Sequence, residues 1–275
     1  MLSVSEIKDF FLLESSHAKK ELGQNFLINE EVISNICNAL EIKDSDTVLE
    51  IGPGLGSLTD ELVKKTHNLT LVEYDAKFYN FLCKCHEDKG ITIVKSNILH
   101  FKDYSMNKVI GNLPYYITSD ILEFIAKNYR NLEKGVFMIQ LEALKRICAK
   151  SGKDYNALNL LLMYKYDIKE LFRVKKNNFF PEPNVDSVVF SITPKENIDF
   201  GFGNTLYKVS KILFTNRRKT IQNNLKTVIK DKETMDKVLN EANLEASLRA
   251  EDLTLENYIK LTEVLINNSL IKKED

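Results

Sequence analysis

Four consecutive residues, Asn112-Leu113-Pro114-Tyr115, carry the most specific chemistry in this sequence. The exocyclic amine of adenine is a poor nucleophile because its lone pair is delocalised into the ring. An Asn side-chain oxygen and the Leu113 carbonyl, held rigid before Pro114, could both accept hydrogen bonds from that amine. They would turn its lone pair toward an electrophile without deprotonating it. Tyr115 could then stack on the base. Read without context, the same residues make a turn after a strand, with Pro114 forbidding continuation.

A second constellation lies upstream, in Glu50-Ile51-Gly52-Pro53-Gly54-Leu55-Gly56. Gly52 and Gly54 leave backbone open to a ligand. The spacing is G-x-G-x-G, not the G-x-G-x-x-G of dinucleotide sites, and Glu50 beside the loop would repel a pyrophosphate. An uncharged or cationic nucleoside suits it better. About 20 residues beyond the loop, the apolar run Leu69 to Glu73 ends in a carboxylate, the place where an acid takes both ribose hydroxyls. Spacing alone equally allows a strand-end carboxylate that caps the next helix. Gln24-Asn25, between Gly23 and Phe26, reads by itself as a loop cap. Phe179-Phe180-Pro181-Glu182-Pro183 forms an aromatic loop stiffened by two prolines. Stacking contributes about 1 to 3 kcal/mol per base, so Tyr115 and Phe180 could wall a base flipped from RNA. The alternative for Phe180 is a core anchor.

Positioning these residues requires strands that end at one edge. Apolar runs at Thr47 to Ile51, Leu69 to Glu73, Ile91 to Val94, Lys108 to Gly111 and Gly135 to Gln140 alternate with helical periodicity. Tyr164 to Val174 and Asp186 to Thr193 predict a final β pair. Together they predict a mostly parallel, doubly wound α/β sheet. Val4, Ile7, Phe10 and Phe11 predict a short amphipathic helix, and Val32 through Leu40 a second. From Asn197 onward the β/α rhythm stops and helix is expected, with Gly201 and Gly203 marking a linker. The expected domains are therefore 1–196 and 197–275.

The chain has 275 residues, with 44% hydrophobic and 28% charged residues, ordinary values for a globular protein. No apolar run approaches the length of about 18 residues that suggests a membrane span, and the first 20 residues lack the order of a secretory signal. A cytoplasmic protein is expected. Cys83-Lys84-Cys85-His86 would spread its thiols over different helix faces, so no metal site is expected. A net charge of -1 conceals segregation: seven basic residues and no acid lie between Phe200 and Lys230. Arg217, Arg218 and Lys219 stand at the centre of that run, which suits phosphate contacts.

From Lys19 to about Leu225 the chain resembles the KsgA-type ribosomal small-subunit adenine dimethyltransferases. The resemblance rests on L-G-Q-N-F-L at Leu22 to Leu27, E-I-G-P-G-L-G-S-L-T at Glu50 to Thr59 and N-L-P-Y at Asn112 to Tyr115. Further matches are Q-L-E-A-L-K-R at Gln140 to Arg146, K-D-Y at Lys153 to Tyr155, F-x-P-x-P-x-V-D-S from Phe179 or Phe180, and R-R-K at Arg217 to Lys219. It implies a Rossmann-like class I S-adenosylmethionine (SAM)-dependent methyltransferase sheet with a small C-terminal helical domain. The implied reaction dimethylates N6 of two adjacent adenines in the 3′-terminal hairpin of small-subunit (16S) RNA, late in ribosome assembly. It further implies that Asn25 and Leu27 close over the cofactor, Gly52 and Gly54 approach its methionine part, Glu73 holds the ribose, and Asn112 both borders the cofactor and orients the target amine. Asn97 departs from the family's usual Asp, which removes a charge-assisted bond to the cofactor's adenine. No metal is called for, since the sulfonium is already a strong methyl donor. The implied partner is small-subunit RNA in a pre-30S particle, met by a monomeric enzyme through Arg217, Arg218 and Lys219. Two rivals stand beside this reading: a resistance-type large-subunit RNA adenine methyltransferase, and a non-catalytic RNA-binding assembly factor.

Overall fold

The structure, a computed structural model, describes residues 2–15, 17 and 24–274. Leu22 and Gly23, which open the first matching stretch, lie outside the described residues, as do Lys19 and Lys20. In chain order the elements are α1 (Val4–Leu13), β1 (Phe26–Leu27), α2 (Glu30–Ala39), β2 (Val48–Ile51), α3 (Thr59–Leu62), β3 (Leu69–Glu73), α4 (Ala76–His86) and β4 (Thr92–Lys95). There follow β5 (Lys108–Asn112), α5 (Thr118–Asn128), β6 (Lys134–Gln140), α6 (Leu141–Ile147), α7 (Ala157–Lys165), β7 (Tyr166–Val174), β8 (Phe179–Phe180) and β9 (Ser187–Pro194). The chain ends with α8 (Phe200–Phe214), α9 (Ile221–Leu225), α10 (Lys232–Glu241) and α11 (Leu255–Asn267).

Seven strands form one sheet in the order β4-β3-β2-β5-β6-β9-β7. The first five are parallel, and β9 runs antiparallel to β6. All four residues of β2 are buried, as a central strand covered on both faces requires. From β2 the chain moves outward through β3 and β4, then crosses back to β5 on the other side of β2. That reversal makes the carboxyl ends of β2 and β5 a topological switch point, where open α/β sheets bind ligands. The glycine loop leaves one end and Asn112 closes the other. A Cβ on Gly111 would meet the Ile51 carbonyl oxygen at 2.7 Å, so this glycine allows the two strands their close approach.

The chain divides into two compact units, 1–144 with 167–194, and 145–166 with 195–275. The expected single cut after residue 196 therefore takes a different form: the helical unit also claims 145–166. A capping box at Asn156 and Asn159 starts α7, which continues to Lys165, so Tyr164 and Lys165 are helical and not the start of a strand. Within this unit α7 packs on α8. Gly201 and Gly203 are buried inside α8 and mark no linker. A Cβ at Gly203 would lie 2.5 Å from the Lys165 side chain and 2.9 Å from the Tyr164 ring, so glycine is what lets the helices meet. The unit's core includes Leu206, Val209, Leu213, Leu239, Tyr258 and Leu261.

In the sheet-bearing unit, α1 begins with a Ser3–Glu6 capping box and buries Ile7 and Phe10. Burying such side chains stabilises by about 1.5 to 3 kcal/mol each. They join Phe26, Leu55 and Phe78 in a separate aromatic cluster beside the glycine loop.

Candidate functional site

The carboxyl ends of β2, β3 and β5 enclose a cavity of about 390 Å³, within the usual range for a small-molecule site. Gly52 and Gly54 adopt φ of 63° and 58°, the left-handed region that favours glycine. A Cβ on Gly52 would meet no atom within 4 Å, because this backbone borders the cavity. The Phe26 ring lies 3.3 Å from the position a Cβ on Gly54 would take.

Glu73 ends β3 with its carboxylate buried in the wall. One oxygen accepts the Gly54 N–H at 2.9 Å and the other the Asp75 N–H at 2.7 Å. Burial raises its pKa, with those two N–H groups opposing the shift. Each carboxylate oxygen has capacity for a further bond, so Glu73 can tether the loop and still receive two hydroxyls. Glu50 is also buried, accepts the Thr59 hydroxyl at 2.7 Å, and is pushed up to about 8, chiefly by burial and then by the charge on Glu73. Three acidic side chains, of which Glu50 keeps its proton at neutral pH, line the cavity, with no Lys, Arg or His among the described lining residues. Such a wall disfavours a pyrophosphate and fits a nucleoside carrying a positive centre, as SAM does.

Asn97 lies on the cavity wall, where its side-chain oxygen accepts the Leu99 N–H at 3.0 Å and caps the short 3-10 turn Ile98–His100. A second lone pair on that oxygen stays available to an adenine amine. Asn25 and Leu27 also line the cavity, and the Leu27 carbonyl accepts the Ser57 hydroxyl at 3.0 Å.

Asn112 also lines the cavity, and its Nδ2 donates to the Asn25 carbonyl at 3.3 Å. That bond fixes which way the amide points and leaves Oδ1 with no donor among the described residues. Leu113 is a core side chain whose N–H donates to the Met138 carbonyl, locking the backbone that presents its own carbonyl. Pro114 lines the cavity and begins a 3-10 turn, Tyr115–Ile117.

The two aromatic candidates lie elsewhere. Tyr115 sits outside the cavity lining, its hydroxyl 3.5 Å from Ser187 Oγ. Phe180 pairs with Phe26 across the β1–β8 ladder and packs into the α1 cluster, with Lys8 Nζ 5.5 Å from its ring centre. Phe179, the other candidate for this motif position, is in the main core. At the cavity rim stands Tyr116 instead, 55% exposed. Sequence reasoning missed it because the 3-10 turn sends adjacent tyrosines to different sides. It also missed Tyr74, Asp75 and Phe78 on the wall; their signal was adjacency to Glu73 at the start of a helix.

The basic triplet lies in the helical unit, in turns between α8 and α9, not in a helix as expected. Arg217 bonds the carbonyls of Lys153 and Gly152 at 2.6 and 2.9 Å and pairs with Glu251 at 2.7 Å. Arg218 and Lys219 are exposed.

The family model for ribosomal RNA adenine dimethylase matches residues 15–265. The chain belongs to that family. Relatives include a ribosomal RNA small subunit methyltransferase A from Malacoplasma penetrans, 41% identical over 89% of this chain and 90% of its own. One of the same description from Fusobacterium nucleatum subsp. nucleatum is 37% identical over 92% of this chain and 98% of its own. Among solved structures, a dimethyladenosine transferase from Plasmodium falciparum superposes with a TM-score of 0.73 at 23% identity, covering 89% of this chain and 98% of its own. The 23S rRNA methyltransferase ErmE follows at 0.64 and 22%, covering 88% and 99%. These two establish the fold: a class I methyltransferase sheet. The dimethylase is thus a SAM-dependent enzyme of ribosomal RNA, and the cavity's acidic, glycine-bordered wall fits that cofactor. No helix among the described residues is long and apolar enough to cross a membrane.

Proposed function

We propose that this dimethylase transfers methyl groups to N6 of two adjacent adenines in the 3′-terminal hairpin of small-subunit ribosomal RNA. It acts as a cytoplasmic monomer on a pre-30S particle. The observation that carries the reading is Asn112 on the cavity wall, its amide nitrogen held by the Asn25 carbonyl, beside a carbonyl made rigid by Pro114. Both groups accept from the target amine, and their bonds strengthen as the nitrogen becomes tetrahedral. When bound, SAM supplies an electrophilic methyl group. Glu73 takes the ribose hydroxyls, Asn97 the adenine amine, Gly52 and Gly54 admit the methionine part, and Asn25 and Leu27 close the wall. Alignment of amine and methyl provides most of the rate, since no covalent intermediate with the chain is needed.

Tyr115 and Phe180 serve the target base from behind the cavity wall, and the exposed ring of Tyr116 offers the rim surface on which a base stacks. In the helical unit, Arg218 and Lys219 contact phosphates, while Arg217 holds the turn that presents them. Small-subunit specificity is supported by the two relatives above, both described as small subunit enzymes. The test is tritiated methyl transfer from SAM to small subunits lacking the hairpin methyl groups, compared with large-subunit RNA. The small subunit accepts label; labelling of large-subunit RNA would replace this reading with the resistance-type activity.

A further inference from the structure

One short segment, residues 24–29, touches both the glycine loop and Asn112. Phe26 seats against Gly54, and the Leu27 carbonyl holds Ser57. The Asn25 carbonyl holds the amide of Asn112. On its other edge the segment carries β1, which pairs with β8 in a ladder of two residues each, Phe26 with Phe180 and Leu27 with Phe179. A ladder this short fixes register weakly, and a slip by one residue would exchange the faces of Phe179 and Phe180. Those faces differ, since Phe179 belongs to the main core and Phe180 to the α1 cluster.

Register is held by residues just beyond the ladder. The Ile28 N–H donates to the Asn178 carbonyl at 2.9 Å. Asn29 Nδ2 donates to Asn178 Oδ1 at 2.8 Å, a half-buried amide pair between positions 149 residues apart in sequence. Both amides are oriented by their remaining bonds: Asn29 Oδ1 accepts from Val32 N and caps α2, and Asn178 Nδ2 donates to the Lys175 carbonyl at 2.9 Å.

We infer that Asn178, through its pair with Asn29, is a positioning residue that couples cofactor binding to capture of the target base. The inference rests on the functional reading above, in which segment 24–29 contacts the cofactor and the Phe180 loop serves the base. Cofactor contact orders the segment; the Asn29–Asn178 pair carries that order into β8 and sets which face Phe180 presents. By linkage the effect is reciprocal, so bound RNA tightens the cofactor by the same factor.

The experiment measures affinity for S-adenosylhomocysteine, which has no methyl to give, by equilibrium dialysis of the full chain. It is run with and without saturating small subunits that lack the hairpin methyl groups. The parent protein binds about fivefold tighter or more with the particle present, at the lower end of usual allosteric couplings. Asn178→Ala lowers that ratio to within about twofold of one while affinity without the particle stays unchanged, because one net hydrogen bond is worth about fivefold. Asn29→Ser, which keeps the helix cap but replaces the amide donor with a hydroxyl on a side chain one atom shorter, gives the same result even where the alanine variant folds poorly. Asn178→Asp, which keeps the acceptor, retains the ratio. Coupling of parental size in both Asn178→Ala and Asn29→Ser overturns the inference and leaves the functional reading intact. A parent chain that binds no S-adenosylhomocysteine overturns both.

Discussion

Replacing Glu73 by alanine separates the two roles its position allows, ribose holder and strand-end cap. In the structure both oxygens already accept backbone N–H groups, from Gly54 at 2.9 Å and Asp75 at 2.7 Å. Alanine orphans both donors; a buried unpaired N–H costs about 1 to 3 kcal/mol, so the folded state loses stability whichever role is correct. The role in cofactor binding adds a distinct cost. Hydroxyl bonds to a carboxylate contribute about 1.5 to 3 kcal/mol, which corresponds to a roughly 10- to 150-fold weaker Kd. Glutamine is the graded control. Its amide keeps one acceptor and turns a donor toward either Gly54 or Asp75, so its affinity falls between parent and alanine. Calorimetric titration with SAM reads the affinity, and thermal melting reads the stability. An alanine variant that melts lower yet binds SAM with parental affinity would reduce Glu73 to a cap and remove it from the cofactor site.

The buried carboxyl of Glu50 gives a pH prediction. Its pKa stands near 8 in the folded chain against an ordinary 4.5, so the folded state keeps a proton that the unfolded state releases. Stability is therefore lost as pH rises from about 4.5 to 8, and Glu50→Gln gains melting temperature over the parent across that window. A constant gap would show that Glu50 does not titrate there. Gly203→Ala lowers the melting temperature although alanine favours helix by about 1 kcal/mol, because its Cβ would strike Lys165 and Tyr164; a stabilised variant would refute the packing. Neutralising Arg218 and Lys219 flattens the salt dependence of particle binding by somewhat less than about one unit per lost phosphate contact. Arg217→Gln instead lowers the melting temperature by removing bonds to Gly152, Lys153 and Glu251, and equal melting of parent and variant would return Arg217 to the RNA face.

Much of the sheet was legible because buried parallel strands write themselves as apolar runs: Leu69–Glu73 was read with its observed bounds, and the others to within one or two residues. The cavity wall was legible where backbone geometry demands a residue type, at Gly52, Gly54 and Pro114. Long-range pairing was not. Nothing local announces that Phe26 lies opposite Phe180, so the contact of the aromatic loop with α1 went unseen. Gly201 and Gly203 were read as a linker because glycine has two uses, turning the chain and letting helices approach, and only the neighbour across the interface tells them apart. Arg217 was grouped with its charged neighbours, yet its fork is satisfied by carbonyls far away in sequence. The residue types at the site were thus readable, and the second partner of each was not.

The central claim is that Asn112 orients an adenine N6 for two successive methylations at each of two neighbouring positions. Nucleoside mass spectrometry of small-subunit RNA, after incubation with SAM and either the parent chain or Asn112→Ala, tests it most directly. The parent produces N6,N6-dimethyladenosine at two adjacent nucleotides of the 3′-terminal hairpin, and Asn112→Ala, still binding SAM, leaves both unmodified. Dimethyladenosine formed at a parental rate by the variant, or none formed by the parent, would contradict the account.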